Sequence, residues 1–407
     1  MTLIECFSGA HVDNMAACLR LKPEKMVMVG SGEDMAEALK DYEKILALRG
    51  QNTRIQAEDV SGKDIGQLCA FLHDLIRQEQ ECVIDITGGD EPVILAVGAV
   101  LVSLGKENFH NIRVEKYDHE ARVVRDCLHD NKPVAGKQVE LTVEEMIGIH
   151  GGSVTADTAA EPAGVTLQQI DPLWRIASRD PKGWNHAVKD LNEFESRFAS
   201  GDQVYLPLNY LRRGISKFDE KETRVRTLLE QLHNCGAVNN RSSHSALDYT
   251  YTSAIARYCT WKAGNVLELK TLLEARKALR EDGRRFQDCR MGVSIDWDGE
   301  RYTDVGKLAD TRNEIDVLLV YGVTPLFISC KNGDVKEDEL YKLNEVASRF
   351  GGPHAKKMLI ATDLDQGKPA ANRFFNQRAW DMDIVLVGDA AELTPGEWNE
   401  IFWDALK

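Results

Sequence analysis

Two β-strands and the turn between them are predicted by one stretch, NEIDVLLVYGVTPLFISCK at residues 313–331. Apolar residues dominate both halves of the stretch, and a short Gly/Pro turn is centred on Gly322. Because side chains alternate between the faces of a strand, folding the hairpin brings Asp316 level with Ser329 and close to Lys331. Burying a carboxylate, a hydroxyl and a lysine together is costly without a cation or a substrate. The stretch therefore predicts a functional site.

The composition is that of an ordinary globular protein of 407 residues, 43% hydrophobic and 28% charged, which is long enough for two or three domains. The formal charge of −15 argues against a surface coated for nucleic acid but allows a local basic groove. Cysteines without CxxC spacing favour reduced thiols in a cytosol and argue against a zinc site. No apolar run approaches the roughly 20 residues that span a bilayer, and the start lacks signal-peptide features. We therefore expect a cytoplasmic protein with no membrane partner.

Residues 1–130 alternate predicted strands and helices, which favours the α/β class with a doubly wound, mainly parallel sheet. Ligands of such sheets bind at the carboxyl ends of the strands. Three of these ends carry small or polar residues and form the candidate ligand pocket. Its members are Ser8, Gly9, His11 and Asn14, then Gly30, Ser31 and Gly32, then Thr87, Gly88, Gly89 and Asp90.

The Gly88-Gly89 turn is the most informative of these strand ends. Glycines let backbone N–H groups approach a ligand, and the N-terminus of the following helix favours phosphate. The same pair could simply tighten a turn, and His11 could be an ordinary core or capping histidine. The chain has no GxGxxG after its first strand and no P-loop motif, which disfavours dinucleotide and NTPase sites.

The middle of the chain is predicted to be a connector followed by a helical module. Residues 131–155 include an amphipathic segment, and residues 156–165 have the composition of a linker. From about 170 to 245 the pattern is mostly helical. A helix over 220–235 followed by Ala237-Val238 suggests a small winged-helix-like module.

The C-terminal part, from about residue 246, is predicted to mix helices and strands around the hairpin. Asn265 would cap a helix over about 266–280, in which Glu268 shares an inward stripe with apolar residues that include Leu279. An inward glutamate, the strand residue Asp316 and Lys331 on the paired strand suit a metal-dependent phosphodiesterase. Carboxylates hold Mg²⁺ or Mn²⁺ through hard oxygen ligands, and the lysine would orient the water or the phosphate.

Each of these residues also has a simpler interpretation. Asp316 and Lys331 could form an ordinary cross-strand ion pair, and Glu268 could pair with an arginine. The side chain of Cys330, on the opposite face of the strand, is expected in the core.

A run of basic residues begins in the last turn of the predicted Glu268 helix and continues beyond it. Such a run is usually a solvated helix face, but beside a phosphodiesterase site it would form a groove that tracks the phosphates of a nucleic acid. The arginines assigned to this groove are Arg276, Arg280, Arg284 and Arg285.

The order of helix carboxylate, strand aspartate and paired-strand lysine resembles the PD-(D/E)xK restriction-endonuclease fold. With Ile4-Glu5-Cys6-Phe7 and Asp85-Ile86-Thr87-Gly88-Gly89 added, nearly the whole chain resembles CRISPR-associated ancillary nucleases that carry an N-terminal CARF domain. The resemblance implies three units: a Rossmann-like CARF domain at 1–140, a linker and helical module at 141–245, and an α/β nuclease domain at 246–407.

The resemblance further implies a homodimer that binds cyclic oligoadenylate, with cyclic tetra-adenylate as the expected ring, across its two-fold axis. Binding would activate a Mn²⁺- or Mg²⁺-dependent endonuclease of type III CRISPR antiviral defence. The implied substrate is DNA, nicked or cut in single strands, with RNA as a further substrate class.

The chain departs from the family pattern at Ser329, because the position two before the lysine is usually acidic. A hydroxyl is a poorer metal ligand than a carboxylate, so Glu339 is the candidate for the missing acid, with Glu337 and Glu314 as alternatives. The expected metal ligands are Asp316, Glu268, Glu339 and the backbone carbonyl of Cys330.

The same serine supports an alternative function. The chain could be a ligand-sensing CARF transcription regulator, in which the helical module binds DNA and the nuclease-like domain is inactive. A nucleotide-binding metabolic enzyme that uses only the first domain is a third interpretation, but it leaves the 313–331 hairpin unexplained.

Overall fold

The chain is organised around three β-sheets, of seven, three and six strands. The structure is a computed structural model that describes residues 1–32, 34–155, 162, 164–196, 201–299, 312–364 and 369–407. The predicted fold class is confirmed: a Rossmann-like N-terminal sheet is followed by a winged-helix-like connector and a C-terminal α/β unit.

The N-terminal sheet is parallel in five of its seven strands. Its elements are β1 Thr2–Cys6, α1 His11–Leu21, β2 Lys25–Gly30, α2 Asp34–Leu48, β3 Arg54–Asp59, α3 Ile65–Gln78, β4 Cys82–Asp85, α4 Glu91–Leu104, β5 Ile112–Asp118, β6 Val123–Asp126 and β7 Lys132–Pro133. The strand order is β3-β2-β1-β4-β5-β6-β7, with β6 and β7 antiparallel at one edge. Because the order reverses between β1 and β4, the loops that follow these two strands meet at the switch point.

Three carboxylates lie side by side on the buried strands β1, β4 and β5. Glu5 is in register with Asp85, and Asp85 is in register with Glu115, which forms an ion pair with Arg20 of α1. Burial and the neighbouring Asp85 raise the pKa of Glu5 well above its usual range, and burial raises the pKa of Asp85 to about 7. Burial therefore favours the neutral, protonated form of Glu5 in the folded protein.

The middle unit has the element order of a winged helix. Helix α5 (Val143–Ile149) and strand β8 (Ser153–Val154) precede it, and β8 pairs with the edge of the C-terminal sheet. The unit consists of α6 Leu167–Arg179, α7 Pro181–Glu195, β9 Gln203–Pro207, α8 Leu208–Leu211, α9 Phe218–Asn234, β10 Val238–Asn240 and β11 Ala246–Tyr251. Strand β11 pairs antiparallel with both β9 and β10. From α7 onward the order is helix, strand, helix, helix, strand, strand.

The C-terminal sheet has the strand order β16-β15-β14-β13-β12-β8. Its unit consists of α10 Ala254–Trp261, α11 Asn265–Lys277, β12 Asp288–Asp296, β13 Arg312–Tyr321, β14 Thr324–Lys331, α12 Asp338–Gly351, β15 Lys356–Ala361, α13 Pro369–Asp381, β16 Ile384–Val387 and α14 Pro395–Asp404. Strands β12, β13 and β14 form an antiparallel meander, and β14, β15 and β16 are parallel. The predicted hairpin is thus the β13–β14 pair at the centre of this sheet.

Helix α11 differs from its prediction at both ends. Its cap position is Gly264, without a side-chain cap hydrogen bond, and the amide of Asn265 instead donates to the carbonyl of Tyr258 at 2.9 Å. The helix ends at Lys277, and Leu279 beyond it is exposed rather than part of an inward stripe.

Each face of the six-stranded sheet packs into a core that it shares with another unit. On one face, Val317 and Ile328 belong to a core with the apolar side chains of α6, α7 and α9. On the other face, Leu318 and Phe327 belong to a core with α12 and with α1 and α2 of the N-terminal unit. Helix α5 contributes side chains to this second core. Within the part of the chain that the structure describes, no helix combines the length and apolarity needed to cross a membrane.

Candidate functional site

The candidate catalytic residues meet where strands β13 and β14 separate, a place called the fork below. The strands pair over 317–321 and 324–328, and Asp316 lies one residue beyond the paired segment. Its Oδ2 accepts hydrogen bonds from the backbone N–H of Cys330 at 2.7 Å and from the hydroxyl of Ser329 at 3.2 Å. The carboxylate of Asp316 thus serves as the acceptor that a strand carbonyl would otherwise provide.

Lys331, the last residue of β14, lies between two carboxylates. Its Nζ is 3.3 Å from Oδ2 of Asp316 and 3.1 Å from Oε2 of Glu339, in the first turn of α12. Although burial opposes its charge, the adjacent Asp316 and Glu339 raise the pKa of Lys331. The fork therefore contains a firmly protonated lysine next to two acids.

Glu268 reaches the same fork from the first turn of α11. Burial, followed by the charges of Asp316 and Glu314, raises the pKa of Glu268 above its usual range. Lys262 gives only a long contact to Glu314, with 3.9 Å between Nζ and Oε1. Since the acids of the fork repel one another, a bound cation would lower the energy of their ionised forms.

The donor set of the fork fits a hard divalent cation. The contacts to Asp316 converge on Oδ2, and no described residue donates a hydrogen bond to its Oδ1. A carboxylate oxygen available next to Glu268 suits Mg²⁺ or Mn²⁺, which prefer oxygen ligands. The carboxylate of Glu339 forms ion pairs with Lys331 and with Lys342, whose Nζ is 3.0 Å from Oε1. To bind a cation, Glu339 would have to give up one of these two lysine contacts.

The two residues before Lys331 have distinct roles in the structure. Ser329 donates a hydrogen bond to Asp316 and adds no negative charge to the fork. The thiol of Cys330 faces α11, with Sγ 3.6 Å from Oγ1 of Thr271, while its peptide lies against Asp316 through the N–H. The Cys330 side chain thus packs in the core as expected, and metal binding by its carbonyl stays a prediction.

The arginines of the predicted groove make their hydrogen bonds and ion pairs with residues outside the fork, and their part in a nucleic-acid groove stays a prediction. Their partners lie on β12, at the end of α11, in the loop after it and at the end of β13. Arg276 donates to the carbonyl of Cys289, Arg280 to the hydroxyl of Tyr321 and Arg285 to the carbonyls of Arg276 and Lys277, while Arg284 lies 3.7 Å from Asp282. Tyr321 ends β13, about 17 Å from Asp316 along an extended strand. Arg280 reaches Tyr321 because α11 ends at Lys277 and the loop after the helix leads toward the turn of the hairpin.

At the N-terminal sheet, the predicted ligand loops after β1 and β4 are in contact. The side chain of Asn14 closes the first loop by accepting from the N–H of Ser8 at 3.0 Å and donating to its carbonyl at 2.7 Å. A Cβ atom on Gly88 would lie 2.4 Å from Oγ of Ser8, and one on Gly89, where φ is +93°, would lie 2.6 Å from Cβ of Cys6. The glycine pair therefore allows the close approach of the two loops, and it also leaves their backbone accessible to a ligand.

The loop after β2 joins the same edge of the sheet. The hydroxyl of Ser31 donates to Oδ2 of Asp90 at 2.8 Å. Gly9 and Gly32 are exposed on the first and second loops, and Gly30 is buried at the end of β2. The structure thus brings all three predicted strand ends together.

Two predicted ligand residues are committed to internal contacts. The hydroxyl of Thr87 accepts from the N–H of Tyr117 at 2.8 Å and so links β4 to β5. Nδ1 of His11 is 3.0 Å from the hydroxyl of Tyr42, and its ring is 5.5 Å from that of His150. These contacts favour the simpler interpretation of His11 as a core histidine.

Tyr42 of α2 is a residue of this site that the sequence reasoning missed. Its side chain is fully buried, and its hydroxyl accepts from the amide of Asn14 at 3.0 Å, which orients the residue that closes the first loop. The apolar stripe of α2, which includes Met35 and Ile45, indicates that Tyr42 faces the core. The apolar stripe alone does not show which loop the hydroxyl of Tyr42 contacts.

Comparison with known proteins identifies similar folds. No family model and no curated protein matches the sequence. Protein VC1899 from Vibrio cholerae is similar in structure, with 16% sequence identity and a TM-score of 0.69, over 100% of this chain and 98% of that chain. Can2 from Sulfobacillus thermosulfidooxidans, solved in complex with cyclic tetra-adenylate, is similar with 15% identity and a TM-score of 0.67, over 100% of this chain and 97% of that chain.

These likenesses concern the fold. Since they cover both chains almost end to end, they include the N-terminal sheet, the winged-helix-like connector and the six-stranded sheet together. The resemblance predicted from the sequence is therefore confirmed in architecture: this chain has the fold of Can2.

Proposed function

We propose that this chain is a cyclic-oligoadenylate-activated, metal-dependent nuclease of type III CRISPR antiviral defence. The observation that carries the proposal is the fork, where Lys331 lies against Asp316 beside the half-buried Glu268. The fold likeness to Can2, which was solved with cyclic tetra-adenylate, supports the choice of activator. The proposed substrate is DNA, nicked or single-stranded, with RNA as a further class, in the cytoplasm.

In this proposal each residue of the fork has a defined part in phosphodiester hydrolysis. Asp316, Glu268 and Glu339 would hold Mn²⁺ or Mg²⁺, which would lower the pKa of a bound water and stabilise negative charge on the phosphate. Lys331 donates to a phosphate oxygen, and its raised pKa keeps it protonated for that purpose. Ser329 orients the carboxylate of Asp316 by its hydrogen bond.

A homodimer is supported by helix α4, which follows the Gly88-Gly89 turn. Leu95 is 61% exposed and Val102 is 85% exposed on this helix. The exposed positions between them, Gly98 and Ala99, are also uncharged. This spacing forms one apolar stripe beside the candidate ligand loops, where a second copy would cover it. A ring of repeated nucleotides bound across the two-fold axis would then meet the same loops from both subunits.

The proposal is tested by cleavage of plasmid and single-stranded DNA and of RNA, with Mn²⁺ or Mg²⁺ and with or without cyclic tetra- and hexa-adenylate. We expect cleavage only with the activator. Asp316→Asn and Lys331→Ala should each lower the rate at least about 100-fold, while calorimetry shows unchanged activator binding. Lys407→Ala is the matched control, because this lysine also pairs with an aspartate but lies at the far C-terminus.

Two results would contradict the proposal. Full cleavage by Asp316→Asn or Lys331→Ala would show that the fork is not the catalytic site. If calorimetry shows that neither cyclic oligoadenylate binds the wild type, the proposed activator is wrong.

The alternative, a transcription regulator, is supported by the winged-helix order and by Ser329. In such a module the helix that enters the major groove usually offers basic side chains to the DNA. The lysine and arginines of α9 are instead paired with acids: Lys221 with Glu193 at 2.6 Å, Arg224 with Asp190 at 2.8 Å and Arg226 with Glu222 at 2.8 Å. The nuclease is therefore favoured, and sequence-specific duplex binding without cleavage would establish the regulator instead.

A further inference from the structure

Three metal-ligating side chains converge at the junction of the N-terminal and C-terminal units. Asp13 comes from α1, His119 follows β5, and His354 ends a 3₁₀ turn, Gly352–His354, that precedes β15. Nε2 of His119 is 2.9 Å from Oδ1 of Asp13, and Nε2 of His354 is 3.3 Å from Oδ2. The ligand atoms of all three side chains lie within 4.8 Å of one another.

The contacts in this cluster are not those of a simple hydrogen-bonded pair. His354 is placed to donate to Asp13, but Nε2 of His119 is buried and makes no aligned hydrogen bond in the described structure, despite the short distance. The two imidazole rings stack at 3.4 Å between centroids with 15° between their planes, and both Nε2 atoms lie close to the one carboxylate of Asp13. A buried nitrogen that is close to an acceptor but not aligned with it costs energy unless something else binds it.

The spacing of the cluster suits a bound ion. Ligands held about 2.0–2.2 Å from a metal at angles between about 90° and 110° are about 3 Å apart. The two nitrogen–oxygen distances, 2.9 and 3.3 Å, are of this size. Imidazole nitrogens favour Zn²⁺, Co²⁺, Ni²⁺ or Fe²⁺ over Mg²⁺ and Ca²⁺, which prefer oxygen. The cluster therefore differs in metal preference from the all-carboxylate fork.

We propose that Asp13, His119 and His354 form a binding site for one imidazole-preferring divalent transition-metal ion, which joins the N-terminal unit to the C-terminal unit. Two ligands come from the N-terminal unit and the third from the segment leading into β15. Strand β15 pairs in parallel with β14, which ends at Lys331 of the fork. The ion would thus fix the position of the fork's sheet relative to α1, and by binding only the folded chain it would stabilise that chain.

The test is titration of the full-length chain with Co²⁺, whose visible absorption reports imidazole ligands, followed by displacement with Zn²⁺. All proteins in this test carry Asp316→Asn, which weakens metal binding at the fork. We expect one Co²⁺ per chain with a nitrogen-ligand spectrum, and an increase of the melting temperature with Zn²⁺. His354→Ala and His119→Ala should each weaken Co²⁺ binding at least about 100-fold. His129→Ala is the matched control, because His129 also contacts an aspartate, Asp126, but is exposed.

A second variant separates loss of the ion from loss of the fold. In His354→Gln the amide can still donate to Asp13 but is a poor metal ligand, so we expect a folded chain, by circular dichroism and size exclusion, that lacks the Co²⁺ spectrum. If His354→Gln and His129→Ala bind Co²⁺ equally well, or if the wild type shows no nitrogen-ligand spectrum, the cluster is only a hydrogen-bonded contact and the proposal is wrong. Failure of the nuclease proposal would leave this result unaffected, since no readout depends on cleavage.

Discussion

His150, which follows α5, is predicted to make the stability of the protein depend on pH. Its Nδ1 is 2.9 Å from the carbonyl oxygen of Met146. Because a carbonyl only accepts, Nδ1 carries the proton, and a second proton must go to Nε2. That nitrogen is buried, without a hydrogen-bond partner in the described part of the chain, and points toward Gly352. Burial, together with the nearby His11 and Arg349, lowers the pKa of His150 from 6.5 to about 4.

The sign of the effect follows from this lowered pKa. Between about pH 4 and pH 6.5 the unfolded chain binds a proton at His150 that the folded chain does not, so the free energy of unfolding falls as the pH falls through this window. At pH 5, protonation of His150 favours the unfolded state over the folded state by a factor of about 30. The contribution of His150 to the free energy of unfolding is therefore about 2 kcal/mol less favourable than at pH 7.5. The contribution of the neutral His150 to stability is fully present only above the pKa that this histidine has in the unfolded chain.

The assay is urea unfolding followed by tryptophan fluorescence, with a chelator present, at pH 7.5 and pH 5. In His150→Asn the amide can still donate to the Met146 carbonyl, but the group no longer titrates. We expect the free-energy difference between wild type and variant to shift by about 2 kcal/mol in favour of the variant at the lower pH. His244→Asn, at an exposed histidine, should show no such shift. A wild-type-to-variant difference that is the same at both pH values would refute the reasoning.

Three further predictions concern close contacts and a buried acid. Gly88→Ala places a methyl group 2.4 Å from Oγ of Ser8, so the loops after β1 and β4 would have to move apart. Calorimetry should then show at least about tenfold weaker binding of cyclic tetra-adenylate. Unchanged affinity would mean that this loop does not form the pocket. Glu5→Gln should gain stability relative to the wild type in urea unfolding as the pH rises above about 5, because burial raises the pKa of Glu5 and the wild type therefore loses stability as the pH rises. A difference that is the same at every pH would contradict this. Gly152→Ala should cost about 1–3 kcal/mol by the same measurement, because its Cβ would lie 2.5 Å from the ring of Phe350, and an unchanged urea midpoint would contradict the clash.

The parts of the fold that depend on local pattern could be predicted from the sequence. Alternation of apolar residues and the turn at Gly322 determine the β13–β14 hairpin, and the hairpin by itself brings Asp316 level with Ser329. The N-terminal strand–helix alternation likewise determines a parallel sheet, and therefore the edge at which Ser8 and Gly88 meet.

Features that depend on where a loop turns, or on contacts between distant segments, could not be predicted. The basic run after Glu268 predicts a groove from its charge alone, but the sequence does not show that the chain leaves α11 at Lys277 and carries Arg280 to the hydroxyl of Tyr321. The cluster of Asp13 with His354 joins residues at opposite ends of the chain. No spacing rule for metal ligands spans such a separation, because packing of two whole units decides it.

The two-sided burial of the six-stranded sheet has a consequence for how this protein can evolve. One of its faces is completed by the N-terminal unit and the other by the winged-helix-like unit, so neither neighbour can be exchanged for an unrelated module without exposing apolar surface. A fragment cut between residues 140 and 141 would lose α5, and with it the cover of Ile45 on α2, which lies against Gly148. We therefore expect the three units to depend on one another for stability, because each face of this sheet is covered by a different neighbour.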